Sequence, residues 1–557
     1  MPIKGILYRK LFEKERSKKK PKSSPSKSRA SRLAEKLKYQ EPEIPVEKKE
    51  GQKYPEFKIL PSKKKKSIVS VGNNRFRYFL LRPYAYADIR YDPEEENTVY
   101  HLIEPTLTEK EKKLYEKIKE GLIQTINVEL TKISKNNKVI SFLEEKVQGL
   151  LDDYGRSVSD QSYLKIMYYI YRDFIGLGRI EPLMRDPFIE DISCDGIGVE
   201  IYVVHQRYGS VETDIVFEDE DELRDFVVKL AEKSDRYISY ADPLLDGTLS
   251  GGSRVQASLA SDVTTKGPSF SIRKFRETPF TPVDLMDMDT VSLDMLSYLW
   301  FLIEHERNIL IGGGVATGKT TLLNAISLFI RPQAKIVSIE DTRELSLPHE
   351  NWIPGVSRVG FGSSKRGEVS MYDLLKESFR QKPDYLIVGE VRGKEASVMF
   401  QAMASGHPSL ATIHAGSIED VIRRLKTPPI NLPAGLMEEL DDVLILVHAR
   451  DQGESARRIS KVTELESITQ GRVNSHDFFE WEPENDAFKK RDESITLKNI
   501  SEQRGMSMES IEDDLEEKKK ILTWLYKRKD DHDWTDVARY ISMYYENKDK
   551  LSKLMKK

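Results

Sequence analysis

The chain holds one cysteine, Cys194, in 557 residues. A single thiol excludes an intramolecular disulfide and a thiolate zinc cage, so a reducing cytoplasm is the expected setting. Long apolar runs are absent too: none approaches the ~18 residues of a membrane helix. The longest, Leu296 to Ile303, stops at Glu304. Near the N-terminus only Ile3 and Gly5-Ile-Leu-Tyr8 stand between charges, too little for a signal peptide. No internal repeat is evident. What remains, 39% hydrophobic and 32% charged residues, suits a soluble globular protein of two or three domains with solvated tails.

A net charge of -3 conceals an asymmetry. Residues 1–40 carry 14 Lys and Arg against Glu13, Glu15 and Glu35, a local +11, which leaves -14 for the rest. Low hydrophobicity with Ser and Pro predicts a disordered arm. Its charge also predicts attraction to an anionic membrane face, at about 1 kcal/mol per basic residue near the surface. Nucleic acid binding is the other use of such a segment, and it is not the expected one.

Against this background one stretch stands out. From Gly313 to Thr320 the sequence reads Gly-Gly-Val-Ala-Thr-Gly-Lys-Thr, which satisfies GxxxxGK[ST], with a strand-like run before it (Asn308 to Ile311) and a helix-forming run after it (Leu322 to Phe329). Strand, glycine turn and helix together predict a phosphate-binding loop. Gly312, Gly313, Gly314 and Gly318 permit a tight turn with N–H groups facing inward, so Gly313, Gly314, Val315, Ala316, Thr317 and Gly318 form the cradle. Lys319 supplies a positive charge to the β and γ phosphates, and the Thr320 hydroxyl is placed for Mg²⁺, with Thr321 beside it.

Three further polar boxes follow apolar runs. Lys335-Ile-Val-Ser-Ile-Glu-Asp-Thr-Arg343 ends in Glu340 and Asp341; Asp384-Tyr-Leu-Ile-Val-Gly-Glu-Val-Arg392 ends in Gly389-Glu390; Ser405-Gly-His-Pro-Ser-Leu-Ala-Thr-Ile-His414 delivers His414 from a short strand. In an open parallel sheet the functional edge lies at the carboxyl ends of the strands, which is where all three fall. Singly, each reads equally well as solvated loop acids or a structural histidine.

In that order the four boxes resemble the secretion ATPases of type II secretion, type IV pilus and type IV secretion systems and the archaeal archaellum motor ATPase. The matching segments are Gly313 to Thr320, an Asp box at Ile339 to Leu345, an atypical Walker B at Gly389-Glu-Val-Arg-Gly393, and a His box from Gly406-His-Pro to Thr412-Ile-His-Ala-Gly416. Ordinary P-loop proteins place Asp, not Gly, before the Walker B acid. Upstream, Glu190 to Gly196, Tyr208-Gly-Ser210, Asp246 to Val255 and Phe270 to Phe275 resemble the N-terminal domain of the archaeal branch. The likeness covers roughly Leu102 to Trp481. Val315 departs from it, standing where many relatives carry Thr, and the tetracysteine zinc module of bacterial relatives is absent.

The resemblance implies an α/β protein: a RecA-like P-loop motor domain preceded by a smaller α+β domain. It makes Glu340 the base that polarises water, Glu390 the partner of Mg²⁺ through water, and His414 a contact of the γ phosphate, with His407 a weaker candidate. Arg254 and Arg273 match arginines that act from a neighbouring protomer or across the domain cleft. It further implies ATP and Mg²⁺, a homohexamer, a polytopic membrane platform protein as partner, and a cytoplasmic location against the inner face of the membrane. The function expected is ATP-driven assembly of a pilus-like filament or related secretion machinery; pilus and archaellum are not distinguished. A nucleic-acid translocase and a non-hydrolysing ATP-binding scaffold are the alternatives.

The organisation expected along the chain is a basic arm (1–70), an α+β domain with a helical lead-in (71–277), a linker with two prolines (278–282), the motor (283–481), and a helical tail (482–557) read as a small bundle packed on the motor.

Overall fold

In a computed structural model the protein is described over residues 42–48, 52–61, 68–72, 75–92, 96–125, 136–276, 278–358, 367–451, 454–469, 472–491, 493–529 and 533–556. Most of the basic arm therefore lies outside the described residues. Among the described residues two sheets organise the fold.

The N-terminal sheet has eleven strands, beginning with short antiparallel pairs such as Arg75–Arg82 with Ala85–Asp92 and ending at the hairpin Leu244–Thr248 with Arg254–Ser258. Helices Glu109–Thr125, Asn136–Asp153 and Asp160–Ile170 cover it through Ile118, Leu122, Leu143, Val147, Leu164 and Met167. This core extends into the segment assigned from sequence to the arm, because Ile44, Tyr54 and Phe57 are buried in it. Cys194 is buried there as well, and burial pushes its thiol up to about 11, an inert state.

The second sheet has nine strands. In spatial order they are Trp352–Val356, Ile336–Glu340, Tyr385–Val391, Ser409–Ile413, Ile309–Gly313, Asp442–Asp451, Glu454–Thr469, Arg472–Glu482 and Ala487–Lys490. The first six run parallel and the last three return antiparallel. Ile309 and Ile311 join the core on one face and Leu310 the core on the other. That alternation explains an unbroken apolar run: a parallel strand covered on both sides has no solvent face.

One face is covered by helices Met371–Ser378, Glu395–Ala404 and Ile418–Lys426. The other carries Leu293–Glu304, whose residues from Met295 to Ile303 are all buried, and Lys319–Ser327. Over these lie the tail helices Met508–Lys527 and Trp534–Glu546. The tail is thus part of the motor core. Trp300 stacks on Phe329 with ring centroids 4.9 Å apart and donates from Nε1 to Tyr545 Oη (2.9 Å), which donates in turn to the Phe329 carbonyl (2.6 Å). Fully buried Lys518 pairs with Glu304 and Asp514, each at 2.7 Å.

The expected linker is shorter than its composition suggests. Pro282 opens helix Pro282–Asp287 at a position where a missing N–H costs nothing, with Thr281 and Asp284 forming a capping box. Among the described residues no helix is long and apolar enough to cross a membrane.

Candidate functional site

The glycine loop joins the central strand Ile309–Gly313 to helix Lys319–Ser327. Ala316 at φ +56° and Gly318 at φ +93° turn the backbone through the left-handed region, the alternation that points successive N–H groups into one concavity. A Cβ on Gly313 would lie 2.4 Å from Thr317 Oγ1 and 3.0 Å from the Leu446 carbonyl, so only glycine fits there. Thr317 Oγ1 and Lys319 Nζ both donate to the Gly314 carbonyl, at 3.1 and 2.7 Å. Burial lowers the Lys319 ammonium, with Arg392 and Arg273 adding to the effect and Glu390 and Glu344 opposing it. These four charges, one of them from the N-terminal domain, therefore surround the lysine. Thr320 and Thr321 follow on the first helical turn, half-buried.

Glu340 ends strand Ile336–Glu340, which Tyr385–Val391 and Ser409–Ile413 separate from the loop's strand, and is only 2% exposed. Its Oε1 accepts from the backbone N–H groups of Glu344 (2.8 Å) and Leu345 (2.9 Å), while Oε2 is buried with no hydrogen-bond partner. Burial outweighs those two bonds and raises the carboxyl from 4.5 to about 7. The loop beyond is tied to the P-loop helix, since Ser346 N–H donates to Asn324 Oδ1 at 2.8 Å.

The glycine before the Walker B acid now has a reason. A Cβ on Gly389 would lie 3.1 Å from Glu340 Cγ, so any side chain there would press on the stem of the buried Glu340 and make it give by a few tenths of an ångström. Gly389→Ala is expected to displace Glu340 and cut phosphate release at least tenfold, on the general-base scale, with nucleotide affinity unchanged; paired turnover and binding titrations check it.

Glu390 is half-buried and accepts from Arg392 Nε at 2.8 Å. Arg392 also approaches Asp341 (3.9 Å), whose carboxylate meets Ser357 Oγ (2.8 Å) and, from the N-terminal domain, Arg254 (3.6 Å). Arg254 is itself held by Asp246 through two bonds of 3.1 and 2.9 Å. Arg273 pairs with Asp191 at 3.4 Å and is mostly exposed. Among the described residues Arg343 makes no ion pair with its neighbouring acids; it lies over the Trp352 ring, 5.4 Å from the centroid.

His414 follows strand Ser409–Ile413 at the same edge as the acids, half-buried, and its ring makes no hydrogen bond among the described residues. Thr412 Oγ1 braces this strand against the next by donating to the Gly389 carbonyl (2.6 Å). His407 precedes the strand and so lies at the opposite edge, its ring against Phe379. That position suits a turn and not a phosphate contact.

Two residues at this edge were not selected from sequence. His448 Nε2 meets the Val315 carbonyl at 2.9 Å, and Arg457 Nε meets the Ala316 carbonyl at 3.4 Å. They are cross-strand partners on Asp442–Asp451 and Glu454–Thr469. More than 130 residues separate them from the loop, and no local motif marks them.

The loop fits a nucleoside triphosphate: the glycines leave no room for side chains, the lysine is central, and an unpartnered carboxylate oxygen stands at the same carboxyl edge of the sheet. Among the described residues no cluster of three His, Cys, Asp or Glu could hold a metal unaided. Mg²⁺ in such sites is instead shared between a loop hydroxyl, substrate phosphates and water, for which Thr320 and Glu390 are suited. When bound, Mg²⁺ would neutralise charge on the phosphates.

Fold and site thus define a RecA-like α/β protein with a glycine loop at the carboxyl edge of its parallel strands. The chain belongs to the secretion ATPase superfamily, for the family model "Type II/IV secretion system protein" matches residues 179–478. The protein MJ0900 of Methanocaldococcus jannaschii is 36% identical over 480 residues, 81% of this chain and 86% of that one. Conjugal transfer protein TrbB of Rhizobium radiobacter is 33% identical over 241 residues, covering 42% of this chain and 70% of TrbB. The crystal structure of the VirB11 ATPase from the Brucella suis type IV secretion system in complex with sulphate is 25% identical, with coverage of 51% and 92% and a TM-score of 0.26.

Proposed function

We propose that this protein is a homohexameric ATPase that converts ATP hydrolysis into movement of its N-terminal domain against its motor, driving assembly of a pilus-like filament through a polytopic membrane platform protein. The observation that carries the proposal is the state of Glu340: buried, anchored through one oxygen, without a hydrogen-bond partner at the other, and at the same carboxyl edge of the sheet as the phosphate loop. A scaffold that only binds ATP has no use for such a carboxylate.

In this reading Glu340 Oε2 takes a proton from the water attacking the γ phosphate. Lys319 and the loop N–H groups hold the phosphates, and His414 contacts the γ phosphate. Glu390, released from Arg392, would hold Mg²⁺ through water. Arg254 and Arg273 stand on the far side of the cleft, where closure brings positive charge to the transferred group. The basic arm would hold the ring against the inner face of the membrane.

The test is phosphate release from ATP and Mg²⁺ across a range of protein concentrations. Specific activity that climbs with concentration supports a self-assembling ATPase. Nucleotide binding without turnover, with lipid also present, leaves only the scaffold. The conjugal-transfer relative favours a second reading, nucleic-acid translocation. It is supported if DNA stimulates a form lacking residues 1–70 in a salt-sensitive manner.

A further inference from the structure

We infer that Arg457, with His448, is a positioning residue that sets the phosphate loop's N–H groups according to where the N-terminal domain stands. The inference rests on the reading of Gly313–Thr320 as a nucleotide cradle.

A peptide group is planar, so fixing a carbonyl on one side fixes the following N–H on the other. The carbonyls of Val315 and Ala316 point outward, to His448 Nε2 and Arg457 Nε. A carbonyl only accepts, so Nε2 of His448 carries the hydrogen. The N–H groups of Ala316 and Thr317 are thereby turned inward, toward the concavity. Ala316 sits at φ +56°, a conformation that costs energy for a residue with a side chain and therefore needs external support. Val315 projects into solvent, 68% exposed, and contributes no packing of its own. The loop's outer limb is held chiefly by these two side chains.

Arg457 has a second partner. Its Nη2 reaches Glu190 Oε2 at 3.4 Å, on strand Ile189–Cys194 of the N-terminal sheet. The Glu190 carbonyl accepts from Lys274 N–H (2.8 Å), directly after Arg273, and its carboxylate also acts on buried Arg276, which burial lowers to about 10. One guanidinium therefore spans the cleft from a strand of the N-terminal domain to the backbone of the loop. Movement of that strand would draw Arg457 from Ala316 and relax the cradle. Arg254–Asp341 also crosses the cleft, but it ends on the Asp box and not on the loop.

The test is titration of the full chain with fluorescent ATP and ADP analogues, using wild type, Arg457→Gln, Glu190→Gln, the double variant, and Lys319→Ala as control. Arg457→Gln is expected to weaken both nucleotides alike, by about tenfold, and Glu190→Gln by about threefold. The double variant should be no weaker than Arg457→Gln alone, because Glu190 reaches the loop only through Arg457. Arg457→Lys keeps the charge but has a single donor nitrogen; it should track Arg457→Gln, and it serves if the glutamine variant fails to fold. Additive losses in the double variant overturn the relay. A loss confined to ATP means that Arg457 touches the γ phosphate and overturns the positioning role. Unchanged affinity in Arg457→Gln also sinks the inference, whereas wild type binding no better than Lys319→Ala sinks the cradle reading beneath it.

Discussion

Replacing Glu340 by Gln is expected to lower ATP turnover on the order of 10³-fold while ATP affinity stays within about a factor of three. The amide keeps the shape of the side chain, and its oxygen can still accept from the N–H groups of Glu344 and Leu345. What disappears is the proton acceptor at Oε2. With a carboxyl raised to about 7, the wild-type rate should climb as pH rises through 7, because only the ionised form accepts a proton. The variant should lack that limb. Stability supplies an independent check with the opposite sign. A carboxyl whose folded pKa lies above its unfolded value favours the folded state below the unfolded pKa, and loses that contribution as pH rises through the folded pKa. As pH rises from 4.5 to about 7 the unfolded carboxyl ionises while the buried one stays neutral, which costs the folded state at most roughly 3 kcal/mol, so Glu340→Gln should melt at a higher temperature than wild type at pH 8 and show no such advantage at pH 4. A variant that stays active moves the base to Glu390; one that is inactive and also less stable at pH 8 points to damage of the fold.

Lys319→Ala should abolish measurable turnover and weaken ATP binding by about 10- to 100-fold, the worth of one charge-assisted contact to phosphate. The loop itself should survive. Its turn is made by the glycines and by Thr317 Oγ1 on the Gly314 carbonyl, and the lysine adds a single bond to that same carbonyl. The lysine is also partly buried among Glu390, Glu344, Arg392 and Arg273. Removing it leaves Glu390 to Arg392 and the phosphates without a counter-charge at their centre. Lys319→Arg is expected to restore little, since a longer planar guanidinium cannot occupy a site sized for a compact ammonium. Isothermal titration beside phosphate-release assays separates the two effects, and wild-type affinity in Lys319→Ala would remove the lysine from the site.

Much of this arrangement was legible in residue order because it depends on local chemistry. The phosphate loop and the three strand-terminal boxes follow from glycine spacing and apolar runs within single segments. Other features depend on partners distant in the chain. The strands between residues 68 and 103 were missed because in stretches such as Arg75-Phe-Arg-Tyr-Phe-Leu-Leu-Arg82 the buried face of Phe76, Tyr78 and Leu80 is interleaved with the apolar Phe79 and Leu81, which blurs the alternation in the sequence. The antiparallel extension from Asp442 to Lys490 was missed for the same reason, its long strands carrying charge on many positions. With it went His448 and Arg457, whose importance comes only from the register that sets them behind the loop. The burial of Glu340 was invisible too, since nothing in Ser-Ile-Glu-Asp distinguishes a solvated acid from one sealed beneath Gly389.

The packing of the C-terminal helices sets the smallest piece of this chain that can stand alone. Cutting at Trp481, where the sequence boxes end, would strip the cover from Trp300, Phe301 and Phe329 and leave Glu304 without its buried lysine. The exposed surface would be aromatic, contiguous and sticky, the kind that precipitates. Dissection of the protein into working parts should therefore treat Pro282 through Met555 as a single casting, with the tail helices serving as the keel on which helix Leu293–Glu304 rests.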